Sequence, residues 1–331
     1  MDVRDAFAPA PRGWTRYVRD LLAALEGLGT VDMVALQGRG WRGPEVVWEQ
    51  VGLPLALRRH PCDVIHAPNC FLPLRRPCPG VVTVHDLAFE AFPSDFAPRT
   101  GAKYRWLVPR TTRSAERVIC VSAFTADDVC ARYGVDPAKV RVVPNAPSLP
   151  VGAAPPPAGP YLLGVGDLRA KKNWGRLVAA WRALRADGLP HRLVLAGADL
   201  GEAAALRAAA GPDPLELPGY VDDARLDALM RGADALVHPS LYEGFGLVLV
   251  EAMARGVPVV AARATALPET GGDACEYFDP LDVGDMAAAI RRVVGDGAHR
   301  RELVDRGHAR AATLSWAASA ALTVAVYEEM L

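Results

Sequence analysis

Short apolar runs alternate with longer amphipathic stretches along almost the whole chain. The runs are rich in Val, Ile and Leu, which is typical of strands buried on both faces of a parallel sheet. They predict strands at residues 63–66, 81–84, 118–121, 161–165, 193–196, 235–237 and 257–260. Helical spacing of apolar residues predicts helices at 16–28, 174–186, 223–232, 247–255 and 283–294. This alternation predicts an α/β protein with doubly wound parallel sheets.

A proline-rich segment in the middle of the chain marks a domain boundary. Residues 144–160 read PNAPSLPVGAAPPPAGP and lack apolar periodicity, which is typical of a linker. We therefore predict two Rossmann-like domains, at 1–150 and 151–312, that face a central cleft where ligands bind. Residues 1–4 are very short for a first strand, so either that strand is truncated or the chain starts inside a longer reading frame.

Composition excludes several classes of protein. Hydrophobic residues make up 51% and charged residues 23%, so the chain can bury a core and is not intrinsically disordered. The net charge of −1 argues against nucleic acid as a partner. No apolar run reaches about 18 residues and no signal-peptide pattern is visible, so we expect a cytoplasmic protein. The six cysteines lack metal or disulfide spacing, and we expect reduced, structural thiols.

Basic residues are unevenly distributed along the chain. Residues 1–150 carry a net charge of +4, from 19 basic and 15 acidic residues. This excess favours an acidic acceptor or peripheral contact with the inner face of a membrane, although a solvated basic face is the alternative. Almost all basic residues are Arg, and two of the few lysines, Lys171 and Lys172, are adjacent.

The densest pattern of candidate chemistry follows the predicted strand at 235–237. A glycine-containing loop leads into a helix that starts near Leu247, and free N–H groups at a helix start can bind phosphate. Gly246 lets the backbone approach a ligand closely. Glu243 lies in the loop and Glu251 in the helix, where they could bind hydroxyls at opposite ends of one extended ligand. A capped surface helix with two exposed glutamates is the alternative.

These residues and further segments resemble, in order, those of glycosyltransferase family 4, whose members are retaining enzymes with the GT-B fold. Glu243 and Glu251 match the family's E-x7-E motif. Other similar segments are 84–87, 121–125, 142–145, 164–173, 218–221 and 267–274. The resemblance implies that the second domain binds a nucleotide-diphosphate sugar and the first binds the acceptor. It also implies a C-terminal helix at 313–331 that crosses back to the first domain.

The resemblance assigns catalytic roles to three residues. Lys172 binds the diphosphate, a task suited to the compact charge of an ammonium group, and Lys171 lies beside it. His85 contacts the transferred sugar near the reacting carbon, and Glu243 holds the ring hydroxyls of that sugar. A solvated lysine pair and a packed histidine are the alternatives.

Donor binding is expected to involve backbone and side-chain groups together. Segment 12–17 resembles the family's first glycine-rich turn, although Thr15 replaces its second glycine. Tyr220 either flanks the nucleobase or packs in the core. The implied donor-binding residues are Gly13, Lys171, Tyr220, Val221, Phe245, Gly246, Leu247 and Glu251. We expect His66, His238 and Trp316 to be structural.

The sequence therefore predicts a retaining, metal-independent hexosyltransferase that needs no cofactor. Its donor is GDP-mannose or a UDP-hexose, and the similarity to mannosyl- and rhamnosyltransferases favours GDP-mannose. Its acceptor is a glycan, a lipid-linked glycan or a small molecule. The acidic pairs at 127–128 and 222–223 lie at helix starts rather than in a D-x-D metal site. The alternatives are a catalytically weak GT-B protein that acts as a partner or scaffold, a same-fold epimerase or α-glucan synthase, and an NAD-linked oxidoreductase.

Overall fold

Two α/β units make up this computed structural model, which describes residues 1–7, 13–38, 41 and 43–331. The first unit comprises Met1–Ser148 and Leu314–Leu331, and the second comprises Leu149–Thr313. Each unit contains its own parallel sheet. The proline-rich segment between their sheets forms neither helix nor strand from residue 143 to residue 160.

The first unit is built on a parallel sheet in the order β1-β2-β3-β4. Its strands are β1 (Ile65–Ala67), β2 (Gly80–Val84), β3 (Arg117–Cys120) and β4 (Val140–Val142). The short segment at the start of the chain lies beside β1, because the Asp2 N–H donates to the carbonyl of His66. Asp2 also pairs in parallel with Leu36, so two minimal strands extend this sheet.

Helices of the first unit include the last helix of the chain. They are α1 (Gly13–Leu28), α2 (Glu45–Val47), α3 (Leu53–Arg59), α4 (Ala88–Ala91), α5 (Pro98–Ser114), α6 (Ala123–Tyr133) and α14 (Trp316–Glu328). A π-helical turn at Trp48–Gly52 joins α2 to α3. Helix α14 packs against α1, where Val324 and Leu21 belong to one buried apolar cluster.

The second unit has a six-stranded parallel sheet in the order β10-β9-β8-β5-β6-β7. This is the doubly wound order of dinucleotide-binding folds, and the strand order reverses between β5 and β8. The strands are β5 (Tyr161–Val165), β6 (Arg192–Ala196), β7 (Leu215–Gly219), β8 (Ala235–His238), β9 (Val259–Ala262) and β10 (Cys275–Phe278). Strands β5, β8 and β9 are buried almost throughout, as expected for the centre of such a sheet.

Three of the seven helices described in the second unit begin at an aspartate that caps them. Asp222, Asp282 and Asp296 each accept backbone N–H groups at the start of a helix, which stabilises its first turn. The helices are α7 (Trp174–Ala186), α8 (Ala203–Ala210), α9 (Asp223–Gly232), α10 (Leu247–Met253), α11 (Leu267–Gly271), α12 (Val283–Gly295) and α13 (Gly297–Ala312).

One apolar stretch, Gly297–Glu328, has the length and mean hydropathy of a membrane-spanning helix. The structure divides it at Thr313 into α13 and α14, which belong to different units. These helices have 16 and 13 residues, fewer than the roughly 20 that a span requires. Neither helix is therefore long enough to cross a bilayer by itself.

Candidate active site

Two loops of the second unit meet where its strand order reverses. The loop after β5 carries Lys171 and Lys172, and the loop after β8 carries Glu243. A backbone hydrogen bond of 2.8 Å from the Leu241 N–H to the Lys171 carbonyl holds the two loops together. Because β5 and β8 are parallel neighbours, both loops leave the carboxyl edge of the sheet, where doubly wound folds bind ligands.

Glu243 lies at the centre of this site, between the side chains of Lys172 and Lys171. Its Oε1 accepts a hydrogen bond from Lys172 Nζ at 2.5 Å. Its Oε2 lies 3.9 Å from Lys171 Nζ. The backbone N–H of Glu243 donates to Thr265 Oγ1 at 2.9 Å, which fixes the loop after β8. The structure thus brings together two of the three predicted catalytic residues and a predicted donor-binding residue.

The two lysines govern the charge state of this carboxylate. Burial by itself favours the neutral acid, but Lys172, Lys171 and the hydrogen bond from His238 outweigh it and hold the pKa of Glu243 well below its usual range. Glu243 is therefore ionised at neutral pH. The cluster then holds two positive charges and one negative charge, and its excess of positive charge suits an anionic ligand.

His238 supports this site from beneath as a fully buried ring in contact with Glu243, which agrees with the structural role predicted for it. Its Nε2 lies 3.2 Å from Glu243 Oε1. Burial lowers the pKa of His238, and together with the two lysines it outweighs the opposing effect of Glu243, so the ring is neutral. A carboxylate can only accept, so Nε2 carries the proton and Nδ1 is a buried acceptor with no partner among the described residues.

Two glycines allow the loops to approach the site closely. Gly166 has a φ of +147°, and a Cβ there would lie 2.8 Å from Lys172 Cε. Gly246 precedes α10 with a φ of +92°, and a Cβ there would lie 2.6 Å from a Leu267 methyl group. Any side chain at Gly166 would displace Lys172, which gives this glycine a direct role in placing the ammonium group.

The start of α10 presents the backbone that the sequence assigned to phosphate binding. Phe245 is buried, and its carbonyl accepts a hydrogen bond from Thr270 Oγ1. Gly246 is the residue before the helix, and Leu247 is its first residue. Phe245 and Gly246 thus end the loop that carries Glu243, and Leu247 begins the helix that follows it.

Glu251 is placed differently from the exposed carboxylate considered in the sequence analysis. It lies in α10 with only 2% of its surface exposed. Its Oε1 accepts the N–H of Leu149 at 2.8 Å, and its Oε2 accepts Arg255 Nη1 at 3.1 Å. The alternative of a solvated surface glutamate is therefore wrong at this position.

Three further donor-binding candidates remain, Tyr220 and Val221 in the second unit and Gly13 in the first. Tyr220 follows the edge strand β7 and is 49% exposed, so the alternative of core packing is wrong. Val221 beside it is half-buried. Gly13 is the first residue of α1, and a Cβ there would meet no described atom within 4 Å. Arg12, from the same predicted turn, lies outside the described residues.

His85, the third catalytic candidate, lies in the first unit just after β2. Its Nε2 donates to the Pro68 carbonyl at 2.8 Å, and its ring packs edge-on against Tyr17 with centroids 4.5 Å apart. Burial lowers its pKa, so the ring is neutral at pH 7. The neighbouring prediction for His66 is confirmed, because that buried ring bonds Thr83 and Tyr327 as a structural element.

Comparison with known proteins assigns both units to glycosyltransferases. A family model described as "Glycosyltransferase Family 4" matches residues 11–146, and one described as "Glycosyl transferases group 1" matches residues 159–296. The O-antigen chain mannosyltransferase B of Escherichia coli is 30% identical over 291 residues, which cover 82% of this chain and 76% of that protein. The chain belongs to glycosyltransferase family 4.

Other relatives agree with this assignment. The MMP alpha-(1->4)-mannosyltransferase of Mycolicibacterium hassiacum is 28% identical over 332 residues, covering 88% of this chain and 76% of that protein. Sucrose-phosphate synthase from Thermosynechococcus elongatus has the same fold, with a TM-score of 0.77, 22% identity and coverage of 99% and 97% of the two chains. Anabaena HepE, solved with UDP and glucose, gives a TM-score of 0.72 at 19% identity, covering 98% of each chain. The fold is therefore GT-B.

Three residues of this glycosyltransferase that contact Glu243 or Glu251 had no site role assigned from the sequence. His238 ends a strand just as His85 follows one, and that shared position was the available signal. Thr265 holds Glu243 from a left-handed backbone conformation with a φ of +50°, and nothing in its sequence context marks it. Arg255 follows Glu251 by four residues in the predicted helix at 247–255, and this i,i+4 spacing was the available signal for their contact.

Proposed function

We propose that this family 4 member is a retaining hexosyltransferase that uses a nucleoside-diphosphate sugar as donor. The observation that carries the proposal is the pairing of Lys172 with Glu243 at the point where the strand order of the second unit reverses. An ammonium group suits the diphosphate, and a carboxylate suits the sugar hydroxyls. Here the two groups are in direct contact.

In this proposal the diphosphate takes the place of Glu243 as the main partner of Lys172. Lys171 adds a second positive charge, and the N–H groups of Phe245, Gly246 and Leu247 add oriented dipoles. The transition state has oxocarbenium character, so the largest catalytic contribution is stabilisation of charge on the departing diphosphate. Released from Lys172, the Glu243 carboxylate accepts hydrogen bonds from the sugar hydroxyls, while His238 continues to orient it.

The stereochemical outcome follows from the family resemblance rather than from a visible nucleophile. Glu243 accepts hydrogen bonds from Lys172 and His238, which suits a carboxylate that binds and orients rather than attacks. We therefore propose front-face attack by the acceptor hydroxyl, with the departing phosphate removing its proton. The bond from the sugar carbon to the diphosphate oxygen breaks as the bond to the acceptor oxygen forms on the same face.

The other predicted residues complete the proposed donor site. Glu251 binds the ribose hydroxyls, the backbone of Tyr220 and Val221 reads the nucleobase edge, and Gly13 approaches the phosphates. His85 contacts the transferred sugar, and its neutral ring presents an acceptor at Nδ1 because Nε2 donates to Pro68. The first unit holds the acceptor in this proposal.

GDP-mannose is the proposed donor, with a UDP-hexose as the alternative. Two relatives are named as mannosyltransferases, which supports a mannosyl donor. The solved HepE structure contains UDP and glucose, which keeps the UDP-hexose in consideration. The O-antigen relative supports a glycan or lipid-linked glycan as acceptor, with a small molecule as the alternative.

We propose that no divalent cation or other cofactor takes part. Lys171 and Lys172 supply the positive charge that a cation otherwise supplies at a diphosphate. The acidic pairs already have partners of their own, because Asp222 caps α9 and Asp128 pairs with Arg132. No group of three or more His, Cys, Asp or Glu side chains that could hold a metal occurs in the part of the chain that the structure describes.

We propose a cytoplasmic location with peripheral contact to an anionic membrane surface through α5. This helix contains Arg and Lys residues but neither Asp nor Glu. Trp106 on it is 53% exposed, and the Arg110 guanidinium lies 4.5 Å from the Trp106 ring centroid. An exposed aromatic ring among basic side chains suits the interface of an anionic bilayer. Loss of binding to vesicles of anionic lipid in Trp106→Ala would support this contact, and unchanged binding would oppose it.

The scaffold alternative is not favoured. It was motivated by the short first strand and by Thr15, whose hydroxyl is buried in α1. Against it, Lys172 forms an ion pair with Glu243, His238 contacts the same carboxylate, and two relatives are named as mannosyltransferases.

The experiment that tests the proposed function measures release of nucleoside diphosphate from GDP-mannose and from UDP-glucose. Mannose oligosaccharides serve as acceptors. We expect Lys172→Ala and Glu243→Ala to lower kcat by orders of magnitude. Glu276→Ala is the matched control, since Glu276 also lies between a cation and a histidine but in contact with Arg292 and His299. Near-normal turnover in both site variants would overturn the assignment.

A further inference from the structure

Four charged side chains of the second unit form a buried cluster beside its first residues. They are Asp227, Arg231, Glu251 and Arg255, so two negative charges face two positive ones. Asp227 is completely buried and Glu251 is 2% exposed. Charges at this depth are tolerated only where each has a partner, so their arrangement is tightly constrained.

Arg255 connects the two carboxylates to the backbone of the linker. Its Nε donates to Asp227 Oδ1 at 2.8 Å, and its Nη1 donates to Glu251 Oε2 at 3.1 Å. Its Nη2 donates to the carbonyl of Leu149 at 2.6 Å and to that of Pro150 at 3.2 Å. Every nitrogen of the guanidinium group has a partner, so its plane is fixed.

Glu251 is held from both sides as a result. Leu149 donates its N–H to Oε1, while its carbonyl accepts from the same arginine that binds Oε2. Because Leu149 and Arg255 each hold a different oxygen, these two bonds fix the orientation of the carboxylate. A fixed orientation suits a carboxylate that must receive a diol at a set angle.

We propose that Arg255 is a positioning residue that orients Glu251 toward the ribose hydroxyls of the donor nucleotide. The inference rests on the proposed role of Glu251 in ribose binding. Arg255 acts through Glu251 and has no contact with the nucleotide in this account. Without the guanidinium group, Glu251 samples other rotamers, and its negative charge stands beside Asp227 with less compensation.

Arg231 provides a matched control within the same cluster. It donates to the other oxygen of Asp227 at 2.7 Å and to the linker carbonyl of Ala154 at 2.5 Å. In the described part of the chain it makes no hydrogen bond to Glu251. Loss of Arg231 therefore weakens the same buried charges and the same linker while leaving the orientation of Glu251 intact.

The test measures how strongly the full chain discriminates a ribonucleotide from its 2′,3′-dideoxy analogue. The probes are GDP and dideoxy-GDP, or UDP and dideoxy-UDP if the uridine nucleotide is the one that binds the wild type. Hydrogen bonds to a charged group predict a Kd ratio of about 10 to 100 for the wild type. We expect Arg255→Gln and Glu251→Gln to reduce this ratio to near one, and Arg231→Gln to keep it.

The possible results separate the two claims. A ratio that persists in Glu251→Gln would show that the proposed ribose role itself is wrong. A ratio lost in Glu251→Gln but kept in Arg255→Gln, or lost equally in Arg231→Gln, would overturn the positioning role alone. Arg255→Lys keeps the charge if Arg255→Gln folds poorly. A single ammonium group cannot make all the hydrogen bonds of the guanidinium group, so we expect a reduced Kd ratio in Arg255→Lys. A wild-type ratio in this variant would contradict the inference.

Discussion

Replacing Glu243 with Gln is expected to strengthen binding of the free nucleoside diphosphate while it slows turnover. The carboxylate accepts a hydrogen bond from Lys172 Nζ at 2.5 Å and lies 3.9 Å from Lys171 Nζ. A diphosphate must therefore compete with Glu243 for the same two ammonium groups. Glutamine keeps the size of the side chain but removes the competing charge.

The magnitude follows from the geometry at Lys172. A phosphate oxygen at about 2.8 Å from Nζ, placed tetrahedrally to Glu243 Oε1, lies roughly 4–5 Å from that carboxylate oxygen. Two unit charges at this separation repel each other by about 3–4 kcal/mol at an effective dielectric constant near 20. Rearrangement of Glu243 and partial solvent screening reduce this figure to about 1–3 kcal/mol. We therefore expect the Kd to fall by about 10- to 100-fold.

Isothermal titration calorimetry with GDP and UDP measures this change directly. The free nucleotides lack the hexose that is transferred. Their affinity therefore reports the phosphate contacts without the proposed contacts of Glu243 with the hexose. Glu276→Gln is the control, because it removes one negative charge from the same unit at a carboxylate held by Arg292 and His299. Its Kd should match that of the wild type.

An unchanged or weaker affinity in Glu243→Gln would refute this account of the site. It would mean that the diphosphate does not share Lys172 and Lys171 with Glu243. Equal tightening in Glu276→Gln would instead trace the effect to net charge. Turnover must fall in Glu243→Gln, because the sugar hydroxyls lose a charged acceptor.

Three further predictions follow. Lys172→Ala should weaken nucleoside diphosphate binding more than Lys171→Ala, since Lys172 is nearer to Glu243, and equal losses in a titration would contradict that order. Burial lowers the pKa of His66 to about 3, below its unfolded value of 6.5. The stability that the neutral ring contributes is therefore complete above pH 6.5 and declines as the pH falls. Between pH 7 and pH 5 the wild type should lose about 2 kcal/mol more free energy of unfolding than His66→Gln, and parallel urea-unfolding curves would contradict this. Turnover should be unchanged in excess chelator, and a large loss restored by Mg²⁺ or Mn²⁺ would show that a cation is required.

Much of the second unit could be predicted because its central strands are buried on both faces. The predicted β5 and the helices at 174–186 and 223–232 coincide with the observed elements. Strands β7 and β10 at the sheet edges were missed. In β7 half-buried and exposed residues alternate, and Pro218 interrupts its apolar pattern, so no continuous run marks it. Helix α5 was also missed, since its many charged residues and internal Pro109 obscure helical periodicity.

The contacts of the candidate site could be predicted where the sheet topology places two loops side by side. They could not be predicted where they involve the backbone of the linker. Lys172 and Glu243 each follow a central strand, so the doubly wound topology predicts that they meet. The contacts of Glu251 and Arg255 with the backbone of Leu149 depend on how the linker folds over α10. Those backbone groups have no sequence signature, because every residue has a carbonyl and every residue other than proline has an N–H.

The most direct test of the central claim is a thermal-unfolding titration of the wild type and Lys172→Ala with GDP, UDP, GDP-mannose and UDP-glucose. A nucleotide at 100 times its Kd stabilises its binding unit by about 2.7 kcal/mol. For a unit of this size that corresponds to a rise in Tm of roughly 5–10 °C. The account predicts this rise in the wild type with one nucleotide family, guanosine for the mannosyl donor, and its loss in Lys172→Ala. No shift with any nucleotide, or an equal shift in Lys172→Ala, would contradict it.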